Sequence, residues 1–119
     1  MSDALKPNRV QLGREAEAKA AQFLIDQGYA MITRNYKAHR GEIDLVAMDG
    51  DVLVFVEVKY RQAPGYSPEE SIGQQKLKAL SRAILEYITE MELKDPPTRL
   101  DLIAIDRDGT RHYKDILAP

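Results

Sequence analysis

The stretch Glu42-Ile43-Asp44-Leu45-Val46-Ala47-Met48, followed after Asp49-Gly50-Asp51 by Val52-Leu53-Val54-Phe55-Val56-Glu57-Val58-Lys59-Tyr60, decides the fold. Both runs are rich in strand-forming residues, and an Asp-Gly pair between two such runs is a strong hairpin signal. The second run is apolar on both faces, which suits a central strand covered on each side. A carboxylate within it, Glu57, is not there merely to be solvated.

A two-residue turn at Asp49-Gly50 or Gly50-Asp51 sets Asp44 opposite either Phe55 or Glu57. Either register puts Glu42, Asp44, Glu57 and Lys59 on one face, because side chains alternate along a strand. Two carboxylates about 4 Å apart repel by roughly 4 kcal/mol at an effective dielectric of 20, so a fold that gathers them needs a cation. With no cysteine and only two histidines, which show no ligand spacing, Mg²⁺ or Mn²⁺ fits better than zinc. A hard cation so held polarises a phosphodiester, and the ammonium of Lys59 suits the orientation of water and the offsetting of phosphate charge.

Outward from the hairpin, residues 12–28 read as a helix, with Leu12, Ala16, Ala20, Phe23 and Leu24 on one side and Gly28 as its stop. Glu17 falls inside that apolar arc and points inward. Residues 29–36 form a strand, and 37–41 a polar loop. Residues 61–66, with Pro64 and Gly65, read as a mobile loop. A second helix starts at Ser67 or at Ser71, repeats Leu77, Leu80, Ile84, Tyr87, Ile88 and Met91, and ends at Pro96-Pro97. Residues 99–106 and 111–117 are the last strands, the latter at an edge. The order is αβββαββ: one α/β domain over residues 1–119, with residues 1–10 as a flexible N-terminal segment.

The 119 residues suffice for one sizeable core. No apolar run approaches a membrane span, and the N-terminal residues lack a secretory apolar core, so a soluble cytoplasmic protein is expected. The net charge of −2 divides unevenly: seven Lys/Arg against four Asp/Glu in residues 1–40, ten against fifteen beyond. A localised anion-facing surface fits this balance, and an indiscriminate DNA coat does not. No phosphate-binding loop, dinucleotide fingerprint or serine-nucleophile elbow occurs, which disfavours a nucleotide cofactor and serine hydrolysis.

The runs Gly13-Arg14-Glu15-Ala16-Glu17, Arg40-Gly41-Glu42-Ile43-Asp44-Leu45-Val46-Ala47 and Phe55-Val56-Glu57-Val58-Lys59, with Arg99-Leu100-Asp101-Leu102-Ile103-Ala104-Ile105, resemble the YraN family of uncharacterised bacterial proteins. That family is similar to Holliday junction resolvases within the PD-(D/E)XK nuclease superfamily. The resemblance implies a restriction-endonuclease-like three-layer α/β/α core with a mixed central sheet. It also implies a metal-dependent endonuclease acting on DNA, branched DNA such as four-way junctions included. The family's helix glutamate falls on Glu17, its strand aspartate on Asp44 and its E-x-K pair on Glu57 and Lys59. These four are the implied catalytic residues, with Glu17, Asp44, Glu57 and the Val58 backbone carbonyl as metal ligands. Resolvases of this fold commonly act as homodimers. Two departures stand out: Ile43 replaces the superfamily's proline, and Lys76-Leu77 replaces the Lys-Gln pair often found at the start of the second helix.

Alternatives stay open at this stage. Glu42 lies on the same face as Asp44 but could equally cap the loop or pair with Arg40. Arg34, Tyr36, Lys37 and Arg40, with Arg14 and Arg61, form a candidate nucleic-acid-binding set, and a solvated loop explains the cluster around His39 as well. A catalytically silent nucleic-acid-binding or adaptor domain would retain the same site without turnover. In an interaction module the acids would instead form internal salt bridges.

Overall fold

The computed structural model describes residues 8–61 and 72–117. The order is α1 (Arg9–Asp26), β1 (Ala30–Ala38), β2 (Gly41–Asp49), β3 (Val52–Tyr60), α2 (Gln74–Glu90), β4 (Thr98–Asp106) and β5 (Gly109–Tyr113). The five strands lie in sequence order in one sheet, antiparallel except for β3 and β4, which run parallel with α2 as their crossover. β3 is therefore central, as its two-sided apolar pattern requires.

Each face of the sheet carries one helix. Ala16, Ala20, Ala21 and Leu24 of α1 pack on Leu45, Ala47, Val54, Val56, Ile103 and Ile105. On the other face, Leu80, Ala83 and Tyr87 of α2 pack on Ile43, Val46, Leu53, Phe55 and Leu100. Phe55 is fully buried, and Tyr87 meets it edge-on at 5.4 Å. This α/β/α sandwich is the restriction-endonuclease-like core expected of the sequence. No helix among the described residues is long and apolar enough to cross a membrane.

Several boundaries differ from expectation. α1 begins at Arg9, because the Asn8 side chain accepts the N–H of Gln11 at 2.8 Å and so caps the helix. Asn8 is thus the cap, and Arg9 and Val10 belong to the first turn of α1. β1 continues to Ala38 and pairs it with Gly41, leaving only His39-Arg40 as the turn. The polar run 37–41 is drawn into the sheet because Tyr36 and Ala38 pack toward α2. β5 stops at Tyr113, and Ile116, which lies past it, donates its N–H to the Leu100 carbonyl and packs with the α2 cluster. α2 starts at Gln74, after Gly73. The expectations for residues 1–7, for the loop beyond Arg61 and for helix starts at Ser67 and Ser71 fall outside the described residues.

The β2–β3 hairpin closes on Asp49↔Val52, so Gly50-Asp51 is the turn. Gly50 takes φ +62, as the first central position of a type II′ turn requires. This register sets Asp44 against Glu57. The paired ladder runs only as far as Leu45↔Val56, and one residue further the Asp44 carboxylate accepts the Val58 N–H at 2.8 Å.

Candidate functional site

The site forms where β2 turns over. Leu45 faces α1, whereas Ile43 faces α2, so the strict alternation of an ideal strand breaks at Asp44. Beside it on β1, between the pairs Arg34↔Leu45 and Tyr36↔Ile43, Asn35 adopts φ +56. Asparagine enters this left-handed region more readily than most residues. The Asn35 amide, oriented as its hydrogen bonds dictate, donates to Glu42 Oε1 at 2.8 Å and to the two Glu17 oxygens at 3.0 and 3.1 Å.

Carboxylate oxygens of Glu17, Glu42 and Asp44 lie within 4.8 Å of one another. Asp44 also lies within hydrogen-bonding reach of Glu57 on the neighbouring strand. It is the common member, facing Glu17 from α1 on one side and Glu57 on the other. Glu42, ambiguous in the sequence, stands with the acids.

Two of these acids, Glu17 and Glu57, resist ionisation. Burial first, and then the charge of Asp44, push Glu17 up from 4.5 to about 7. Glu57 is only 4% exposed, and burial followed by its hydrogen bond to Asp44 raises it to about 8, against the pull of Lys76 and Lys59. Among the described residues, Glu57 Oε2 is the buried side-chain oxygen or nitrogen that lacks a hydrogen-bond partner. Such an atom carries a desolvation cost that a ligand would relieve. Hard oxygen donors, mutual repulsion and a buried oxygen without a hydrogen bond together fit a divalent cation such as Mg²⁺ or Mn²⁺.

A cleft of about 690 Å³ opens over this cluster and is lined by Glu17, Asp44, Glu57, Val58 and Lys59. Arg9 and Arg61 also line it, and the exposed Arg61 donates to the Tyr60 carbonyl at 2.9 Å. The cleft thus combines acids with cations along its wall, an arrangement able to hold a phosphodiester beside a metal.

The rest of the anticipated nucleic-acid set divides. Arg14 is exposed on α1 and Arg34 is exposed on β1, away from the cleft lining. Tyr36 donates its hydroxyl to Glu90 and packs edge-on against Tyr87, which accounts for it as an anchor of α2. Lys37 lines a groove with α2, where the His39 backbone and ring bind Glu86, and Arg40 occupies the turn beside it.

Three participants escaped sequence reasoning. Asn35 was hidden in a strand-like run, though an Asn between Arg34 and Tyr36 is a poor strand former and marks irregular backbone. Lys76 places its Nζ 3.3 Å from Glu57 Oε2 across the sheet-helix boundary. Arg9 sat in the segment expected to be flexible.

A family model described as Uncharacterised protein family UPF0102 matches residues 16–105, a span holding Glu17, Asp44, Glu57, Lys59 and Lys76. A UPF0102 protein of Carboxydothermus hydrogenoformans is 40% identical over 115 residues, covering 92% of this chain and 98% of that protein. Another from Pseudomonas syringae pv. syringae is 44% identical over 105 residues, covering 85% and 84%. A third, from Chlorobium limicola, is 43% identical over 100 residues, covering 82% and 77%. With a family model matching residues 16–105 and relatives matched over most of its length, this chain belongs to the uncharacterised protein family UPF0102, the YraN family.

Proposed function

We propose that this protein is a divalent-metal-dependent endonuclease that hydrolyses DNA phosphodiester bonds. The observation that carries the reading is the meeting of Glu17, Asp44 and Glu57 in one cleft with Lys59, with Arg9 and Arg61 on the same walls. Glu17, Asp44 and Glu57, with the Val58 carbonyl, are the groups that would hold Mg²⁺ or Mn²⁺, and Glu42 stands ready beside Asp44. When bound, the ion supplies Lewis acidity toward the phosphate.

The side chains do the rest. Lys59 offsets charge on the phosphate and orients the attacking water. Arg9 and Arg61 bind backbone phosphates on either side and set the register of the strand without reading its sequence. Asn35 keeps Glu17 and Glu42 aimed inward by donating to both. Asp44 is oriented by the Val58 N–H, which ties the carboxylate to the strand carrying Glu57 and Lys59. Among the described residues Glu57 is the one of these acids that meets a cation in an ion pair, the half-exposed Lys76 at 3.3 Å, which weighs against the interaction-module alternative.

Branched DNA is the substrate this reading favours, and a four-way junction with paired cleavage points implies a two-fold dimer. The test is cleavage of end-labelled four-way, flapped, single-stranded and linear DNA with Mg²⁺ or Mn²⁺, comparing wild type with Asp44→Asn and Lys59→Met. Metal-dependent cutting lost in both variants supports the reading. Binding without cutting moves the assignment to a silent DNA-binding domain, and neither binding nor cutting removes nucleic acid from the account.

A further inference from the structure

Lys76 is the third residue of α2, and its position is not explained by helix stability. The α2 N-terminus has no side-chain cap and no acid in its first turn. A cation there opposes the helix dipole, which favours negative charge at that end. What Lys76 does contact is Glu57 Oε2, at 3.3 Å. That oxygen is buried and has no hydrogen-bond partner of acceptable geometry, so the ammonium compensates it by charge while leaving a lone pair open. The two side chains differ sharply in freedom: Glu57 is 5% exposed and Lys76 41%. A long side chain that far into solvent can swing away at little cost, whereas the glutamate cannot.

We infer that Lys76 is a positioning residue of the acidic site: a resident cation that holds Glu57 Oε2 when no divalent ion is bound and yields that oxygen to the ion when it arrives. The inference rests on the metal-site reading above. It assigns the two lysines different tasks, Lys59 toward substrate and Lys76 toward the ligand Glu57. Because ammonium and metal compete for one oxygen, removing the ammonium strengthens metal binding.

The experiment is a Mn²⁺ titration of the full chain, followed by calorimetry or water-proton relaxation, on wild type and on Lys76→Met, Lys76→Gln, Lys76→Arg, Lys78→Met and Asp44→Asn. A half-exposed ion pair lost from the competing side translates to roughly three- to five-fold tighter Mn²⁺ binding in Lys76→Met and Lys76→Gln. Lys76→Arg keeps the competing charge, and Lys78→Met removes a charge from the same helix without touching Glu57. Both stay within about twofold of wild type, because screening attenuates distant charge. Asp44→Asn loses the binding. Should Lys76→Met fail to fold, Lys76→Gln carries the comparison. Unchanged or weaker binding in the folded Lys76 variants overturns the exchange and leaves the metal site standing. Absence of Mn²⁺ binding in wild type and in the Lys76 variants alike overturns the metal-site reading and the exchange with it.

Discussion

Replacing Glu57 by Gln is expected to stabilise the metal-free protein at alkaline pH, although the residue lies at the heart of the proposed site. The Glu57 carboxyl is 4% exposed and raised from 4.5 to about 8, by burial first and by Asp44 second. In that window the folded protein holds a proton that the unfolded chain has released, so the stability of wild type falls as pH rises from about 4.5 to about 8 and then levels. Glu17, raised to about 7, adds a contribution of the same sign. Each tenfold change in proton affinity between the folded and unfolded chain is worth about 1.4 kcal/mol, and since Asp44 shares the repulsion, roughly 2–4 kcal/mol belongs to Glu57. Lys76 loses its partner in the variant, which at its exposure costs up to about 1 kcal/mol. The net expectation is a gain of about 1–3 kcal/mol at pH 8.5 and almost none at pH 5. Urea unfolding of both proteins in chelator, monitored by circular dichroism at the two pH values, measures it. A Glu57→Gln protein less stable than wild type at pH 8.5, or a gain independent of pH, would refute the electrostatic account of the site.

Asp101 is fully buried and accepts from Arg99 Nε at 2.8 Å and Nη2 at 3.0 Å, from His112 Nε2 at 2.7 Å and from the Asp115 N–H at 3.0 Å. Asp101→Ala leaves Arg99 and His112 without their buried anion and is expected to cost about 3–5 kcal/mol in chemical denaturation; a loss under 1 kcal/mol contradicts it. Burial pushes the Asp101 carboxyl up, but its bonds to His112, Arg99 and the Asp115 N–H outweigh that and hold it below the usual range. Its stabilisation is thus present above about pH 4 and lost as pH falls through its lowered value, a loss that acid titration of the Asp101→Asn protein will not show. Asn35→Gly keeps the φ +56 backbone and loses the amide, whereas Asn35→Ala loses both, so thermal melts should place Ala about 1 kcal/mol below Gly. Lys59→Met is expected to retain Mn²⁺ binding while cleavage falls by roughly 10²–10³-fold in single-turnover assays. Phe55→Ala empties a fully buried site against Tyr87 and should cost about 3–5 kcal/mol by urea unfolding.

The fold was readable because its decisive signals are local. The alternation and two-sided apolarity of residues 42–60, the Gly-Asp turn and the α2 stripe each depend on neighbours in sequence, and the structure places them in the expected order. Asp44 and Glu57 could be set face to face for the same reason, since one hairpin register relates them. Lys76 could not, because its approach to Glu57 depends on how α2 seats on the sheet after a long crossover. Asn35 escaped because its effect is a backbone irregularity, not a pattern. The Asp101 hub joins β4, β5 and the segment after it with the Arg99 side chain, which itself reaches Asp49 and Tyr29. His112, which the sequence leaves as an ordinary residue of an edge strand, acquires its role only when Phe23 and Tyr29 close over its ring. Of the basic residues read as DNA-facing, Arg61 lines the acidic cleft, whereas Lys37 and Arg40 stay with His39 beside α2, where Tyr36 and His39 bind Glu90 and Glu86.

The most direct test of the central claim is anomalous diffraction from crystals of this protein soaked in Mn²⁺. The account predicts one strong anomalous peak about 2.0–2.3 Å from carboxylate oxygens of both Asp44 and Glu57, absent in Asp44→Asn crystals. A peak elsewhere on the molecule, or no peak at saturating Mn²⁺ with the cleft open to solvent, would contradict it.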